Sequence, residues 1–253
     1  MPCNPRDINP KSQDKYLTYY YSHPRAFQIY CSGTDRRYLF PYFETKVTEP
    51  KKYLNSEDFE KGLKALDTEL RNDPITVAFA PITVITVGGF LAVTYLKNRT
   101  ATGDLDYLLP PQWPDDKDIK TPLRQAIRKV TMGLDFNEEW ANDDVSLFVT
   151  SQARETLFQQ AKEQNIVLFT GKHIRVLAAP IEWAIERKVR RLYTGERDRK
   201  AGFDMSDCLT MLKYLRDRND GPLDEEHIRT QNVNGFDVVP DKKNNGQHCR
   251  SVL

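Results

Sequence analysis

A run of β-branched residues followed at once by two glycines constrains the fold of this chain more than any other feature. Residues 82–87 read Ile-Thr-Val-Ile-Thr-Val, Gly88 and Gly89 follow, and a short helical pattern covers residues 91–95. Residues 104–109, Asp-Leu-Asp-Tyr-Leu-Leu, predict a second strand that two prolines end. A strand, a tight turn, a helix and a strand in succession indicate a sheet covered by helices.

The rest of the chain shows further helical and strand patterns. Apolar residues at three- and four-residue steps predict helices, the first of them capped by Ser56. Apolar runs on both sides of a Thr-Gly-Lys turn predict a β-hairpin. The predicted helices cover residues 56–70, 118–133, 147–161, 180–193 and 205–215, and the hairpin strands cover residues 166–169 and 174–177. This order predicts an α/β (α+β) protein with a mixed sheet flanked by helices.

Composition changes along the chain predict four regions. Residues 1–55 begin with a Tyr- and Pro-rich extension that is a candidate lid, and residues 56–180 carry the core. Residues 181–232 form a helical C-terminal part, and residues 233–253 are predicted to be a strap that ends in a disordered tail.

Bulk properties indicate a soluble protein of the cytoplasm. The 253 residues include 29% charged residues, and the formal net charge is +1, so no overall field favours nucleic acid or an anionic membrane. The longest apolar stretch, residues 75–96, is interrupted by proline, glycine and threonine, which argues against a transmembrane helix. No apolar signal region begins the chain, and its four cysteines lack metal-ligand spacing.

Asp104 and Asp106 are the first candidates for chemistry. Residues i and i+2 of a strand point to the same face, so the two carboxylates are expected side by side. Two close negative charges repel each other unless a cation lies between them. Mg²⁺ is the natural occupant, because it prefers carboxylate oxygens and keeps coordination sites open for substrate phosphates.

The two glycines predict a phosphate site beside these carboxylates. Glycine lets the backbone approach a ligand closely, and a helix N-terminus offers free N–H groups to phosphate. Thr102 is placed to orient a carboxylate, and Arg99 is placed to reach a phosphate.

These residues together resemble the core of the minimal nucleotidyltransferases. The similarity begins with Gly88-Gly89 and the segment 99–106, Arg-Thr-Ala-Thr-Gly-Asp-Leu-Asp, and covers roughly residues 77–215. It continues with the segment 140–143, Trp-Ala-Asn-Asp, and with Ala-Pro before the helix that carries Lys188. Arg199 and Lys200 with Asp204 and Asp207 resemble a further family segment, and Asn-Gly-Phe-Asp at 234–237 resembles a fungal branch. The resemblance implies transfer of a nucleotidyl group from ATP or another NTP to an acceptor, with Mg²⁺ on Asp104 and Asp106. Asp143 and Asp207 become candidate substrate-binding residues.

Lys188 is a third candidate catalytic residue, which would neutralise charge that develops on the phosphates, and its place in the sequence supports a role independently of the resemblance. It falls on the apolar face of its predicted helix, so it must snorkel, pair with a carboxylate or meet a ligand phosphate. The basic run from Arg187 to Lys200 around it is either a solvated face or a patch for RNA phosphates, such as those of tRNA.

Two departures from the family pattern leave other functions open. Glycine stands where the family usually has serine, and no carboxylate lies on the predicted hairpin strands to complete the metal site; Asp143, Asp144 and Glu182 are alternatives. One alternative function resembles that of fungal arginine-containing cyclodipeptide synthases, in which Asp104 and Asp106 would bind an arginyl guanidinium and the basic run would bind tRNA. Another is an inactive nucleotide-binding module.

Overall fold

A mixed five-stranded sheet lies at the centre of the residues that the computed structural model describes, 49–194 and 201–240. The strands are β1 (Ile82–Val87), β2 (Leu105–Leu108), β3 (Ala141–Asn142), β4 (Val167–Thr170) and β5 (Ile174–Ala178), in the order β3-β2-β1-β5-β4. The central β1 is antiparallel to β2 and parallel to β5, β3 runs parallel to β2, and β4 runs antiparallel to β5. The predicted α/β (α+β) class and the predicted hairpin are therefore confirmed.

Helices flank this sheet on both sides. They are α1 (Ser56–Leu70), α2 (Pro74–Ala78), α3 (Gly89–Thr94), α4 (Lys117–Leu134), α5 (Ser151–Gln164), α6 (Ile181–Tyr193), α7 (Ala201–Arg218) and α8 (Glu225–Thr230), with a 3₁₀ helix at Asp144–Phe148. Among the described helices, none combines the length and the apolar character needed to cross a membrane.

Capping side chains set the first two helix starts. The cap of α1 is Asn55 and not the predicted Ser56: the Asn55 side chain accepts a hydrogen bond from the Asp58 N–H, and the Asp58 carboxylate accepts one from the Asn55 N–H. The predicted end of α1 before Pro74 is confirmed, but Asp73 then caps α2, whose first residue is Pro74. Proline suits a first helical position because it needs no N–H partner there.

The two faces of β1 belong to two different apolar layers. Ile82 and Val84 pack with α1, α4 and Trp140 on one side of the sheet. Ile85 and Val87 pack with α5, α6 and α7 on the other side. Because side chains alternate along a strand, the isoleucines and valines of this β-branched run cover both faces and place β1 in the interior.

A strap at residues 231–240 lies along α6. Arg190 of α6 donates hydrogen bonds to the backbone carbonyls of Gln231 and Val238, and Arg187 pairs with Asp237. The buried Glu186 accepts a hydrogen bond from the backbone N–H of Val233. Residues 1–48 of the predicted Tyr-rich extension, residues 195–200 of the predicted basic run and the tail 241–253 lie outside the described residues.

Candidate active site

The sheet brings both glycines and both candidate carboxylates to one end. Val87, the last residue of β1, pairs with Asp106 of the antiparallel β2, and Gly88 follows directly. Asp104 and Asp106 are partly exposed, whereas Leu105 and Tyr107 are buried, which is the alternation expected of a strand. Leu108 packs in the layer of α5, α6 and α7, so Asp106, two residues earlier, faces the same layer.

Gly88 leaves room for the Asp106 carboxylate because it has no side chain. Its φ of 88° lies in a region that side-chain-bearing residues avoid, and a Cβ there would lie 3.1 Å from Oδ2 of Asp106. The backbone of Asp106 is fixed as well, because the Thr86 hydroxyl donates a 2.7 Å hydrogen bond to its carbonyl. The carboxylate therefore lies against bare backbone at the turn between β1 and α3.

Gly89 is needed for packing. A Cβ at this position would come within 2.0 Å of Oγ1 of Thr102, so serine would collide there with a buried side chain. Thr102 is itself fixed by reciprocal backbone hydrogen bonds with Leu54. A side chain at this position is therefore excluded unless Thr102 or α3 moves. The close approach also gives Thr102 a packing contact with the α3 backbone.

Lys188 joins two helices through a buried ion network. The residue is 3% exposed, and its Nζ lies 2.9 Å from Oδ1 of Asp204 and 2.6 Å from Oδ2 of Asp207, both on α7. The sequence left snorkelling, pairing with a carboxylate and contact with a ligand phosphate open for Lys188. In the structure, Lys188 pairs with carboxylates. Burial raises the pKa of Asp204, but the hydrogen bonds and charges of Arg191 and Lys188 outweigh it and lower that pKa to about 2.

Two arginines extend this network towards β2. Arg99 binds Asp207 through two nitrogens, at 2.9 and 2.5 Å, and lies 4.7 Å from the ring centre of the exposed Phe203. Arg191 binds both oxygens of Asp204, at 2.8 and 3.0 Å. Burial lowers the pKa of Arg191, but Asp204 outweighs that effect and raises it, and the charge of Asp106 adds to the rise. The network therefore lies within electrostatic reach of Asp106.

The remaining predicted residues have partners inside the chain. Asp143 follows β3 and binds Lys120 and Arg124 of α4, each at 2.8 Å. In the basic run, Arg187 pairs with Asp237, Arg190 with Glu186 and Arg191 with Asp204. The described part of this run is thus balanced by internal carboxylates, and its predicted contact with tRNA stays a prediction.

Asp104 and Asp106 would supply two carboxylates to a magnesium ion. No group of three or more His, Cys, Asp or Glu side chains that could hold a metal lies within residues 49–194 and 201–240. Next to Asp106 on β3 stands Asn142, whose side-chain oxygen accepts a hydrogen bond from the Asp144 N–H. Two carboxylates are enough for Mg²⁺, which commonly keeps several waters and completes its shell with substrate phosphates.

Sequence reasoning missed how these charges pair. In the sequence, Arg191 is one residue of a basic run. It also follows Lys188 by three residues, and Asp207 follows Asp204 by the same spacing. Residues three apart lie on one face of a helix, so this double spacing is a signal for two helices joined by ion pairs. Asn98, which donates a 2.8 Å hydrogen bond to Asp207, carries no such signal.

Comparisons with protein-family models, with curated proteins and with solved structures find no match for this chain. The residues and their geometry are therefore the basis for the functional argument.

Proposed function

We propose that this protein transfers a nucleotidyl group from a nucleoside triphosphate to an acceptor, with Mg²⁺ held by Asp104 and Asp106. The observation that supports the proposal best is the position of Asp106, whose Oδ2 lies against the bare backbone of Gly88. Carboxylates, open backbone and a nearby cation are what a metal-bound polyphosphate needs.

Each group has a separate role in this proposal. Asp104 and Asp106 hold the metal, which would neutralise charge on the phosphates. Gly88 keeps the approach to Asp106 free of a side chain. Arg191 binds Asp204, and its positive charge also acts on Asp106. Lys188 is a positioning residue that fixes α6, and with it Arg191, against α7.

The reaction needs no covalent intermediate on the protein. The acceptor hydroxyl attacks the α-phosphorus in line, a new P–O bond forms, and pyrophosphate leaves as its bond to the α-phosphorus breaks. The hydroxyl proton passes to solvent or to a neighbouring base. Acceleration comes from holding the reacting groups in line and from stabilising charge that develops on the phosphates.

Calorimetric titration of Mg²⁺-ATP tests the proposal. Wild-type protein is expected to bind at micromolar to millimolar levels, about −8 to −4 kcal/mol, and Asp104→Asn/Asp106→Asn is expected to lose this binding. The matched control is Asp217→Asn/Asp220→Asn, which removes two exposed carboxylates on the far part of α7 and its following turn. Metal dependence is checked by repeating the wild-type titration with EDTA.

The outcomes separate the functions that the sequence leaves open. Metal-dependent binding that only the first variant loses supports nucleotidyl transfer, and pyrophosphate release then identifies acceptors. Nucleotide binding that is unchanged by EDTA and by Asp104→Asn/Asp106→Asn would fit an inactive nucleotide-binding module. No binding by wild type overturns the proposal and makes arginyl-tRNA the next ligand to test, since paired carboxylates also suit a guanidinium.

A further inference from the structure

A cleft of about 670 Å³ lies between α1 and the turn that joins β4 to β5. Small-molecule sites commonly have volumes of about 300–1,000 Å³, so this space can hold a compact ligand. One side of the cleft is lined by Lys64 and Asp67 of α1 and by its C-cap residue Arg71. Steps of three and four residues place these side chains on one face of the helix. Residues 169–173 line the other side, so the cleft has a helical wall and a hairpin wall.

Asp67 fixes the two walls relative to each other. Its carboxylate accepts hydrogen bonds from the backbone N–H groups of Lys172, His173 and Ile174. Gly171 permits this approach, because a Cβ there would lie 2.1 Å from Oδ1 of Asp67. The only carboxylate among the described residues that line the cleft is therefore already bound by the turn.

Two cations of the cleft have no carboxylate partner. Lys64 is paired with Glu60 at 2.6 Å. Among the described residues, no carboxylate oxygen lies within 4.0 Å of the charged nitrogens of Arg71 or Lys172. Unpaired cations are common on open surfaces, but these two border one ligand-sized cleft from its opposite walls. An anionic ligand in the cleft can therefore contact both.

Phe169 gives the same cleft an apolar surface. This side chain is half-buried: it packs against the layer of α1 and α4 and also lines the cleft. Ligand sites typically combine apolar or aromatic walls with a few charged groups that fix the orientation of the ligand. The cleft therefore suits a molecule that has both an anionic group and an uncharged part.

We propose that this cleft binds a small organic phosphate, whose phosphate group contacts Arg71 and Lys172 and whose organic part packs against Phe169. The Arg71 fork binds two phosphate oxygens, and the Lys172 ammonium acts as a point charge beside them. Two cations match a phosphate monoester, which carries about −1.5 to −2 charge at neutral pH, better than they match a carboxylate with a single charge.

The cleft is separate from the candidate active site. It lies at the end of the sheet where β1 begins, since Ile82 pairs with Ile174 directly after the turn. Asp106 pairs with Val87 at the other end of β1, about 16 Å away at the rise of a β-strand. The proposal therefore does not depend on nucleotidyl transfer at Asp106.

Calorimetric titration in EDTA, at constant ionic strength, tests the cleft with AMP, ribose 5-phosphate and inorganic phosphate. Wild type and Asp104→Asn/Asp106→Asn are both expected to bind an organic phosphate at millimolar levels or tighter, and more tightly than inorganic phosphate. Arg71→Gln and Lys172→Gln are each expected to bind it about tenfold more weakly, because each loses charge-assisted hydrogen bonds. Phe169→Leu is expected to weaken binding of the organic phosphate and to leave binding of inorganic phosphate unchanged.

The matched controls are Arg128→Gln and Lys162→Gln. They remove exposed cations of α4 and α5 outside the cleft, and both variants are expected to bind as wild type does. All four charge variants change exposed side chains, so circular dichroism is expected to show folded proteins.

Four results would overturn the proposal. They are no binding by wild type, undiminished binding by Arg71→Gln and Lys172→Gln, equal losses in the control variants, and equal affinity for inorganic and organic phosphate. Organic phosphate binding that is lost only in Asp104→Asn/Asp106→Asn would place the ligand at the candidate active site and would also overturn it. Failure of the proposed nucleotidyl transfer has a different signature, which is absence of Mg²⁺-ATP binding while organic phosphate binding in EDTA is retained.

Discussion

At the residue scale, Thr102 occupies the space that a Cβ at Gly89 would need. The first glycine of the pair, Gly88, is required by a positive φ, whereas the second is required by space. The sequence shows both as the same residue type. Only the neighbour across the turn, Thr102, distinguishes their roles.

We expect Gly89→Ala to destabilise the fold by about 1–3 kcal/mol, because the new Cβ forces Thr102 or α3 to move. The check is urea unfolding of Gly89→Ala, Thr102→Gly and the double variant. If packing is the cause, the double variant is more stable than the sum of the single effects predicts. Additive effects would contradict this explanation.

Asp67 shows how one carboxylate ties a turn to a helix. Its oxygens accept hydrogen bonds from the backbone N–H groups of Lys172, His173 and Ile174, at 3.1, 2.7 and 3.1 Å, and so join α1 to the turn between β4 and β5. Burial raises the pKa of Asp67, but these donors outweigh it and hold the pKa below its usual value. The charged form is therefore the one that stabilises the fold.

We expect Asp67→Asn to cost about 2 kcal/mol at neutral pH, since it replaces charged acceptors by a weaker one. A lowered folded-state pKa means that the stabilisation is complete above the unfolded-state value of about 3.9 and is lost as the pH falls below it. Unfolding measured between pH 7 and pH 2 should show the two proteins converging in acid. Asp217→Asn, at an exposed ion pair, should show no such convergence, and a constant gap for Asp67→Asn would refute the linkage.

At the scale of elements, α6 and α7 are joined by charge as well as by apolar packing. Asp207 is fully buried and binds both Lys188 and Arg99. Removing one partner of a buried pair leaves an uncompensated charge, which costs more than the pair contributes.

We expect Lys188→Met to destabilise the protein by about 3 kcal/mol or more. Lys213→Met, at an exposed lysine of α7, is the control and should change stability little. Thermal and urea unfolding measure both. A stable Lys188→Met protein would show that the network is dispensable for packing.

The elements also show what the sequence could predict. Long periodic segments and the β-branched run specify β1, β2, the hairpin and four of the larger helices, because their patterns are local. The helix predicted at 147–161 is instead a 3₁₀ helix followed by α5, since Thr150 caps a new helix. The two-residue β3 and the short α2 and α8 were missed, because elements of this length have no periodicity.

The candidate site was predicted in part for the same reason. The common position of Gly88, Asp104 and Asp106 follows from strand order, which the local pattern specifies. The partners of Arg99 and Asp143 are 108 and 19 residues away in sequence, at Asp207 and Arg124. Such pairings depend on how α4 and α7 dock on the sheet, and no local pattern encodes this.

At the scale of the whole molecule, two apolar layers share one sheet. Leu63 lies in the layer of α1 and α4, and Leu157 lies in the layer of α5, α6 and α7. Both layers pack on β1. If the helices of one layer unfold, we therefore expect β1 and the apolar side chains of the other layer to become accessible to water.

We expect Leu63→Ala and Leu157→Ala each to destabilise the protein by about 2–5 kcal/mol, since both side chains are buried. In each variant, tryptophan fluorescence reports on Trp113 and Trp140 in one layer and on Trp183 in the other, and circular dichroism reports on the helices. Coincident transitions are expected. Two separate transitions would show that the layers unfold independently.

The parallel pairing of β1 with β5 has a consequence for synthesis on the ribosome. Ile82 to Thr86 pair with Ile174 to Ala178, about ninety residues later in the chain. At bacterial to eukaryotic elongation rates, the ribosome needs on the order of ten seconds to translate the residues between the two strands. Throughout this interval one edge of an apolar, β-branched strand has no partner, so the nascent chain offers a template for mispairing. We therefore expect translation speed over residues 88–174 and access to chaperones to affect the yield of folded protein.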